Sequence, residues 1–401
     1  MTISPEQIVR EKLEQTSTLL NRYDIDLWLT FVRETSLSKD PALELIYPYD
    51  VTWHSAFMVH RGGDTTAIVG RYDADNVERL GAYLHVHGYD ESIRPILTDA
   101  IKRMRPRTIA LNFSESDPAA DGLTVGMRQT LAEALAEAGL PSEAAVSSEK
   151  FLNSLRGQKT PGEVELIRQA IATTEQLYAE VGERIRPGVT ERELGHYLHR
   201  RLKELGLETS WHWHNDPAVN TGPDSVVGHA APGDLKVQPG HLVHFDFGVK
   251  QNGFCSDIQR MWYVLGEGET EPPPEVQKTW KIVRGAMTAG FMALKPGVLG
   301  WEVDAVAREY LTRHGLPEYL HGFGHNVGRV AHDGGVVLGP RWDRYGDAPY
   351  LPVEADNVLA IELGAQVPGK GWIYLEENVL VTEDGAQWLS RPQTELMVIK
   401  P

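Results

Sequence analysis

The sequence predicts an α+β protein of two domains. A smaller α/β domain spans residues 1–155, and a larger one spans 156–401, with helices outside a curved antiparallel sheet and two pseudo-twofold halves. Three observations predict this. A chain of 401 residues exceeds what one hydrophobic core ordinarily supports. Its first part alternates short apolar runs with helical patterns, as a compact α/β unit does. Its second part carries a faint internal repeat: Pro187-Gly188-Val189, Glu193-Leu194 and Gly206-Leu207 recur, 109 residues on, as Pro296-Gly297-Val298, Glu302-Val303 and Gly315-Leu316.

The elements follow in order. Residues 5–22 read as a helix of mixed charge, and Leu27-Trp28-Leu29-Thr30-Phe31 as a buried strand. Two apolar runs, 57–60 and 67–69, flank Arg61-Gly62-Gly63-Asp64, a hairpin signal. Helical patterns cover 74–84 and 91–104, and a short strand covers 108–111. The second domain opens at Lys159-Thr160-Pro161-Gly162-Glu163, where Thr160 caps a helix, Pro161 takes its first position and Glu163 completes a capping box.

Composition narrows the function. Hydrophobic residues at 41% and charged residues at 24% are ordinary for a globular chain. A net charge of −17 repels phosphate backbones and anionic membranes, so neither nucleic acid nor membrane is an expected partner. Cys255 is the single cysteine, which excludes a disulfide framework and a four-cysteine zinc site. Any metal must be held by His, Asp or Glu. Residues 1–10 lack a basic stretch followed by an apolar core, and no apolar run approaches the ~20 residues of a membrane span. The cytoplasm is the expected compartment.

The strongest chemical signal is carboxylates in apolar company. His244 to Val249 alternates as a strand, Asn252-Gly253 is a two-residue hairpin signal, and Phe254 to Val264 reads as the returning strand. That turn sets Gln251 opposite Phe254 and Gly248 opposite Asp257. Asp257 then shares a face with Asp246, a diagonal neighbour at roughly 7–8 Å, unless a bulge shifts the strand. An acid on a hairpin is ordinarily solvated. Among Phe245, Phe247, Ile258, Met261 and Trp262, a pair of acids would be costly to bury without cations. Glu362 and Glu376 stand in two further apolar runs, 358–363 and 372–381, whose mutual register is ambiguous, with Glu377 on the face opposite Glu376. His321-Gly322-Phe323-Gly324-His325, with His332 seven residues later, sets three histidines among glycines. An oxygen-rich donor set with one imidazole suits Mn, Fe, Co or Zn rather than calcium.

These residues resemble the pita-bread metallopeptidases, and within them the Xaa-Pro dipeptidases (prolidases) and aminopeptidases P. That family's pattern is two Asp, then His, then two late Glu; Asp246, Asp257, His325, Glu362 and Glu376 fill the five places. His321, His332 and His229 match its further active-site histidines. The resemblance is strong over roughly 150–401 and weaker over 1–150, where it suggests a creatinase-type N-terminal domain. It implies a homodimer and two divalent ions per chain (Mn, Co or Zn). One ion would be held by Asp246 and the other by His325 and Glu362, with Asp257 and Glu376 bridging. A metal-bridging hydroxide would attack the bond before proline in a small peptide. In that scheme Glu362 moves the proton, His229 and His332 donate to the carbonyl oxygen or the substrate carboxylate, and His321 shapes the pocket. Proline's bond lacks an N–H, so this attack needs no such donor. The 14-residue spacing from Glu362 to Glu376 favours dipeptides over the longer peptides of an aminopeptidase P. A non-peptidase hydrolase or lyase of the same fold is the other alternative. Three features depart from the family. Leu363 stands where Pro is common, Tyr374 where Arg is frequent, and residues 334–352 form an aromatic, Asp-rich loop without a motif. Trp211-His212-Trp213-His214 reads equally as a pocket wall or a packed strand edge.

Overall fold

In a computed structural model the described residues are 3–228 and 230–400. The chain divides into two compact units, Met1–Arg156 and Gly157–Pro401.

The first unit contains α1 (Pro5–Arg22), β1 (Leu27–Val32), α2 (Leu43–Ile46), β2 (Ser55–His60), β3 (Thr65–Gly70), α3 (Arg71–Leu80), β4 (His85–Tyr89), α4 (Arg94–Met104), β5 (Ile109–Leu111), α5 (Val125–Glu137), β6 (Ala145–Ser147) and α6 (Glu149–Gly157). Its six strands form one mixed sheet in the order β4-β3-β2-β1-β5-β6. The hairpin at Arg61 to Asp64 joins β2 to β3. The helix expected over 74–84 starts earlier and stops at Leu80, because Gly81 takes a left-handed φ of 60° that ends the hydrogen-bond ladder.

The second unit contains α7 (Pro161–Gly182), α8 (Glu191–Leu205), β7 (Glu208–Thr209), β8 (Ala218–Thr221), β9 (Leu242–Phe247), β10 (Val249–Gln251), β11 (Phe254–Cys255), β12 (Ile258–Val264), α9 (Pro274–Ala293), α10 (Gly300–Arg313), β13 (Gly324–Asn326), β14 (Val358–Val367), β15 (Gly371–Thr382), β16 (Gly385–Trp388) and β17 (Met397–Ile399). Its main sheet runs β13-β14-β15-β12-β9-β8, with β16 on β15 and β17 on β12. The repeat is physical. The helix pairs α7–α8 and α9–α10 turn at Gly188 and Gly297, whose φ values of 92° and 89° favour glycine at both sites. Thr160 and Glu163 form the expected capping box at the start of α7.

One strand differs from its expected form. Residues 254–264 are not continuous: β11 ends at Cys255 and β12 starts at Ile258. The register nonetheless holds, with Gln251 opposite Phe254 and Phe247 opposite Ile258, four residues further on each side. The break arises because β10 swings away to pair with β7. Gly248 N–H then donates to the Asp216 carboxylate at 3.3 Å. Asp257 is held instead by a side chain: its N–H donates to Asn378 Oδ1 at 3.1 Å, and Asn378 Nδ2 donates to its carbonyl at 2.8 Å.

Behind the sheet, Tyr178 of α7 sets its ring against Phe245 and Phe247, and its hydroxyl donates to the Ile258 carbonyl at 2.6 Å. Glu377 does face away from Glu376. It is fully buried, pairs with Arg260 at 3.1 Å, and accepts from Ser390 Oγ and Gln393 N–H at 2.7 Å each. No helix among the described residues is long and apolar enough to cross a membrane.

Candidate metal centre

The pairing of four strands assembles the site. Asp246 on β9 lies opposite Gln259 on β12. Gln259 lies opposite Glu376 on β15, and Glu376 opposite Glu362 on β14. Directly paired residues share a face, so this row crosses one face of the sheet. Asp257, two residues before Gln259, falls on the same face by strand alternation. His325 on β13 pairs with Ala360, two residues before Glu362, and so joins it. The structure thus brings together all five residues singled out in the sequence. It also fixes the register left open between β14 and β15: their hairpin closes over Pro368-Gly369-Lys370, with Val367 opposite Gly371.

The cluster is tight and sheltered. Asp257 and Glu376 are 5% and 2% exposed. His325 Nε2 lies 3.8 Å from Asp257 Oδ2 and 3.8 Å from Glu376 Oε1. The three donor atoms lie within 4.8 Å of one another. Asp246 Oδ1 is buried and has no hydrogen-bond partner among the described residues. Burial, then the neighbouring Glu362 charge, pushes the Asp246 carboxyl up to about 8. Asp257 and Glu376 are likewise raised well above their ordinary values, first by burial and then by the acids around them. Burial, with His332 beside it, pulls His325 down to about 3, so its ring is neutral. A buried set of mutually repelling carboxylates, a neutral imidazole and an orphaned oxygen has the donor chemistry of a divalent cation site.

The segment carrying the histidines is held from behind. Asp304 on α10 accepts from Phe323 N–H at 3.1 Å and from the Tyr319 hydroxyl at 3.0 Å. Arg308 grips the same Asp304 carboxylate and donates to the carbonyls of Tyr319 and His321 at 2.6 and 2.8 Å. Gly324 permits the close crossing: a Cβ there would lie 2.3 Å from the Ala360 carbonyl oxygen. The loop 334–352 takes part, since the Tyr345 hydroxyl accepts from Gly322 N–H at 2.8 Å.

His321 Nδ1 is 3.9 Å from Glu362 Oε1. The His332 ring meets that of His325 edge-on at 4.3 Å. His229 lies outside the described residues. Tyr374 pairs with Gly364, and its ring sits 5.5 Å from His244 and 6.0 Å from His321. Burial, then Glu362, pushes its hydroxyl up to about 12, which keeps it a proton donor at neutral pH. Trp211 to His214 does not form a strand edge. It is a turn in which Trp213 stacks on His199 of α8 at 4.0 Å.

Lys159 contributes from the start of the unit. Its Nζ lies 3.2 Å from Asp333 Oδ2, with side-chain exposures of 1% and 3%. Asp333 N–H closes on the Asn326 carbonyl at 2.9 Å, so this buried pair anchors the loop bearing His332. Asp333→Ala leaves a buried ammonium without its carboxylate and is expected to cost about 3 kcal/mol. Combining Lys159→Met with Asp333→Leu should recover most of that loss. Chemical denaturation of the three proteins measures it, and a double variant no more stable than Asp333→Ala would refute the argument.

Sequence reasoning missed Gln259, His244 and Asp216. The alternation that places Asp257 and Asp246 on the inner face also places Gln259 and His244 there, so that signal was available. Asp216 carried none. It is fully buried, and its Oδ2 accepts from the backbone N–H groups of Ser210 and Trp211 at 2.8 and 3.3 Å.

Residues 165–383 match the model of metallopeptidase family M24, more than half of the 401-residue chain, and the chain belongs to that family. Among its relatives, the Xaa-Pro dipeptidase of Pyrococcus furiosus is 27% identical over 326 residues, covering 79% of this chain and 89% of the relative. The Xaa-Pro dipeptidase of Lactobacillus helveticus is 28% identical over 318 residues, covering 78% and 80%. The solved structure of an Xaa-Pro dipeptidase from Bacillus anthracis superposes with a TM-score of 0.74 at 23% identity, covering 98% of this chain and all of that one. The X-Pro aminopeptidase of Thermotoga maritima gives 0.75 at 23% identity, covering 96% and 100%. Those structures share the pita-bread fold with this chain.

Proposed function

We propose that this protein is a metal-dependent dipeptidase that cleaves the bond before proline. The observation that carries the reading is the convergence of two Asp, one His and two Glu on one sheltered sheet face. Asp246, Asp257, His325, Glu362 and Glu376 would hold two divalent ions. Bound ions of this kind supply Lewis acidity, polarising the scissile carbonyl and bringing the pKa of a water molecule near neutrality.

The chain's own residues do the rest. Glu362, whose Oε1 faces His321, takes the proton from the attacking water and passes it to the leaving proline nitrogen. His332 and His229 donate hydrogen bonds to the carbonyl oxygen or to the substrate carboxylate. The rings of Tyr374, His244 and His321 form a wall beside the cluster, suited to a proline ring with a polar edge. The names of the Pyrococcus and Lactobacillus relatives support this substrate class. A homodimer in the cytoplasm belongs to the same reading.

The test is hydrolysis of Ala-Pro, Met-Pro, Arg-Pro-Pro and Ala-Ala by metal-stripped protein with Mn, Co or Zn restored. Turnover of the Xaa-Pro dipeptides alone is expected. Turnover of the tripeptide as well would move the assignment to an aminopeptidase P. With metal bound and none of the four cleaved, the substrate is not a proline peptide and the proposal fails.

A further inference from the structure

The row of acids is interrupted at its centre by a neutral amide. Gln259 lies between Asp246 and Glu376 in the strand order and is 4% exposed. Its Nε2 donates to Glu362 Oε2 at 3.1 Å and to Glu376 Oε2 at 3.0 Å. Its Oε1 faces His244 Nε2 at 2.9 Å. The orientation of the amide is forced, because the reverse would set its oxygen against two carboxylates. His244 is fixed in turn: its Nδ1 meets Asn220 Oδ1 at 3.0 Å, and Asn220 Nδ2 donates to Ser225 Oγ and the Val226 carbonyl at 3.0 and 2.7 Å.

This bridge divides each carboxylate into a held oxygen and a working oxygen. Glu376 Oε2 is tied to Gln259, which leaves Oε1, the atom 3.8 Å from His325. Glu362 Oε2 is tied likewise, which leaves Oε1 toward His321. The residue type fits the task. A Lys or Arg here would neutralise the acids and compete with a bound cation, and a Glu would repel both of them. A primary amide offers two N–H donors with no net charge.

We propose that Gln259 is a positioning residue for the reaction, its carboxamide locking Glu362 and Glu376 with one oxygen each directed at the metal-binding side. The inference rests on the metal-site reading of the cluster. Gln259 touches neither substrate nor metal; it acts through the two glutamates. Groups that orient metal ligands typically carry roughly 10–100-fold in affinity or rate when removed.

The variant is Gln259→Met, which keeps the length and removes both donors. Purified full-length wild type and variant, stripped with chelator, are titrated calorimetrically with Mn²⁺ alone. Their kcat and KM are then measured on the proline dipeptide that wild type cleaves best, and thermal midpoints check the fold. The expected result is a midpoint within a few degrees of wild type, Mn²⁺ affinity and kcat each lower by roughly 10–100-fold, and KM changed much less. Unaltered Mn²⁺ affinity and kcat, or a change confined to KM, would overturn the assignment. Should Gln259→Met fail to fold, His244→Phe removes the amide's other anchor and is expected to lower both quantities in the same direction; no change there would overturn it as well. Wild-type protein that takes up no Mn²⁺ overturns the metal reading and this inference together. Uptake by wild type and variant alike overturns this inference alone.

Discussion

Asp257→Asn is expected to abolish peptide hydrolysis and lower the metal bound per chain, while making the metal-free protein more heat-stable. The substitution is isosteric, and the Asn378 clamp on the Asp257 backbone uses no carboxylate atom, so the fold is retained. What changes is charge. Asp257 Oδ2 is 3.8 Å from His325 Nε2, and its carboxyl is raised by burial and then by Asp246 and Glu362. Without metal those neighbours repel it, so a neutral amide relieves the cluster. With metal the same amide is a poorer ligand than the carboxylate it replaces. The loss of turnover should exceed roughly 100-fold, which removal of outer partners alone can reach. Turnover, metal content by atomic emission and unfolding in chelator measure the three effects. Retained full activity, or a chelated variant less stable than chelated wild type, would refute the assignment of Asp257.

The opposed signs of that result depend on how the site is built, and only part of the building was legible in the sequence. Asp246 and Asp257 could be placed on one face because Asn252-Gly253 fixes a hairpin and alternation does the rest; the register survived even where the strand did not. The break at Ser256 and Asp257 was not legible. It depends on β7 and Asn378, which are distant in sequence and approach only in the folded sheet. Glu362 and Glu376 were recognisable as acids in apolar strands, yet their pairing required the turn at Pro368-Gly369-Lys370 to be seen. The histidine segment was singled out by composition, but its anchors, Asp304, Arg308 and Tyr345, have ordinary surroundings in the sequence. Gln259 was within reach of the same alternation, which places it on the face of Asp246 and Asp257, but an uncharged amide in an apolar strand carries no signal of its own.

The crowding of acids also predicts how the metal-stripped protein responds to pH. Asp246 is held at about 8, and Asp257 and Glu376 are raised well above their ordinary values, whereas free carboxyls titrate near 4. Between those limits the folded state binds more protons than the unfolded state, so these groups lower stability as pH rises. His325, pulled down to about 3 by burial, acts oppositely. It is neutral when folded and protonated when unfolded below about 6.5, so its effect raises stability with pH and is complete by pH 7. Above pH 7 the raised carboxyls dominate, buried Asp216 among them, and the chelated protein should lose stability from pH 7 to 8.5. Saturating Mn²⁺ should reduce that decline, because it binds the deprotonated ligands of the folded state only. At about a thousand times its dissociation constant a ligand adds about 4 kcal/mol. At about 2–4 °C per kcal/mol for a domain of this size, the midpoint should rise by roughly 8–16 °C, with the larger rise at the higher pH. Calorimetric melts in chelator and in Mn²⁺ at pH 7 and 8.5 measure this. A chelated midpoint that climbs over that interval would mean that the acids do not repel one another across the sheet face. The grouping of Asp246, Asp257, Glu362 and Glu376 as one ligand set would then fall.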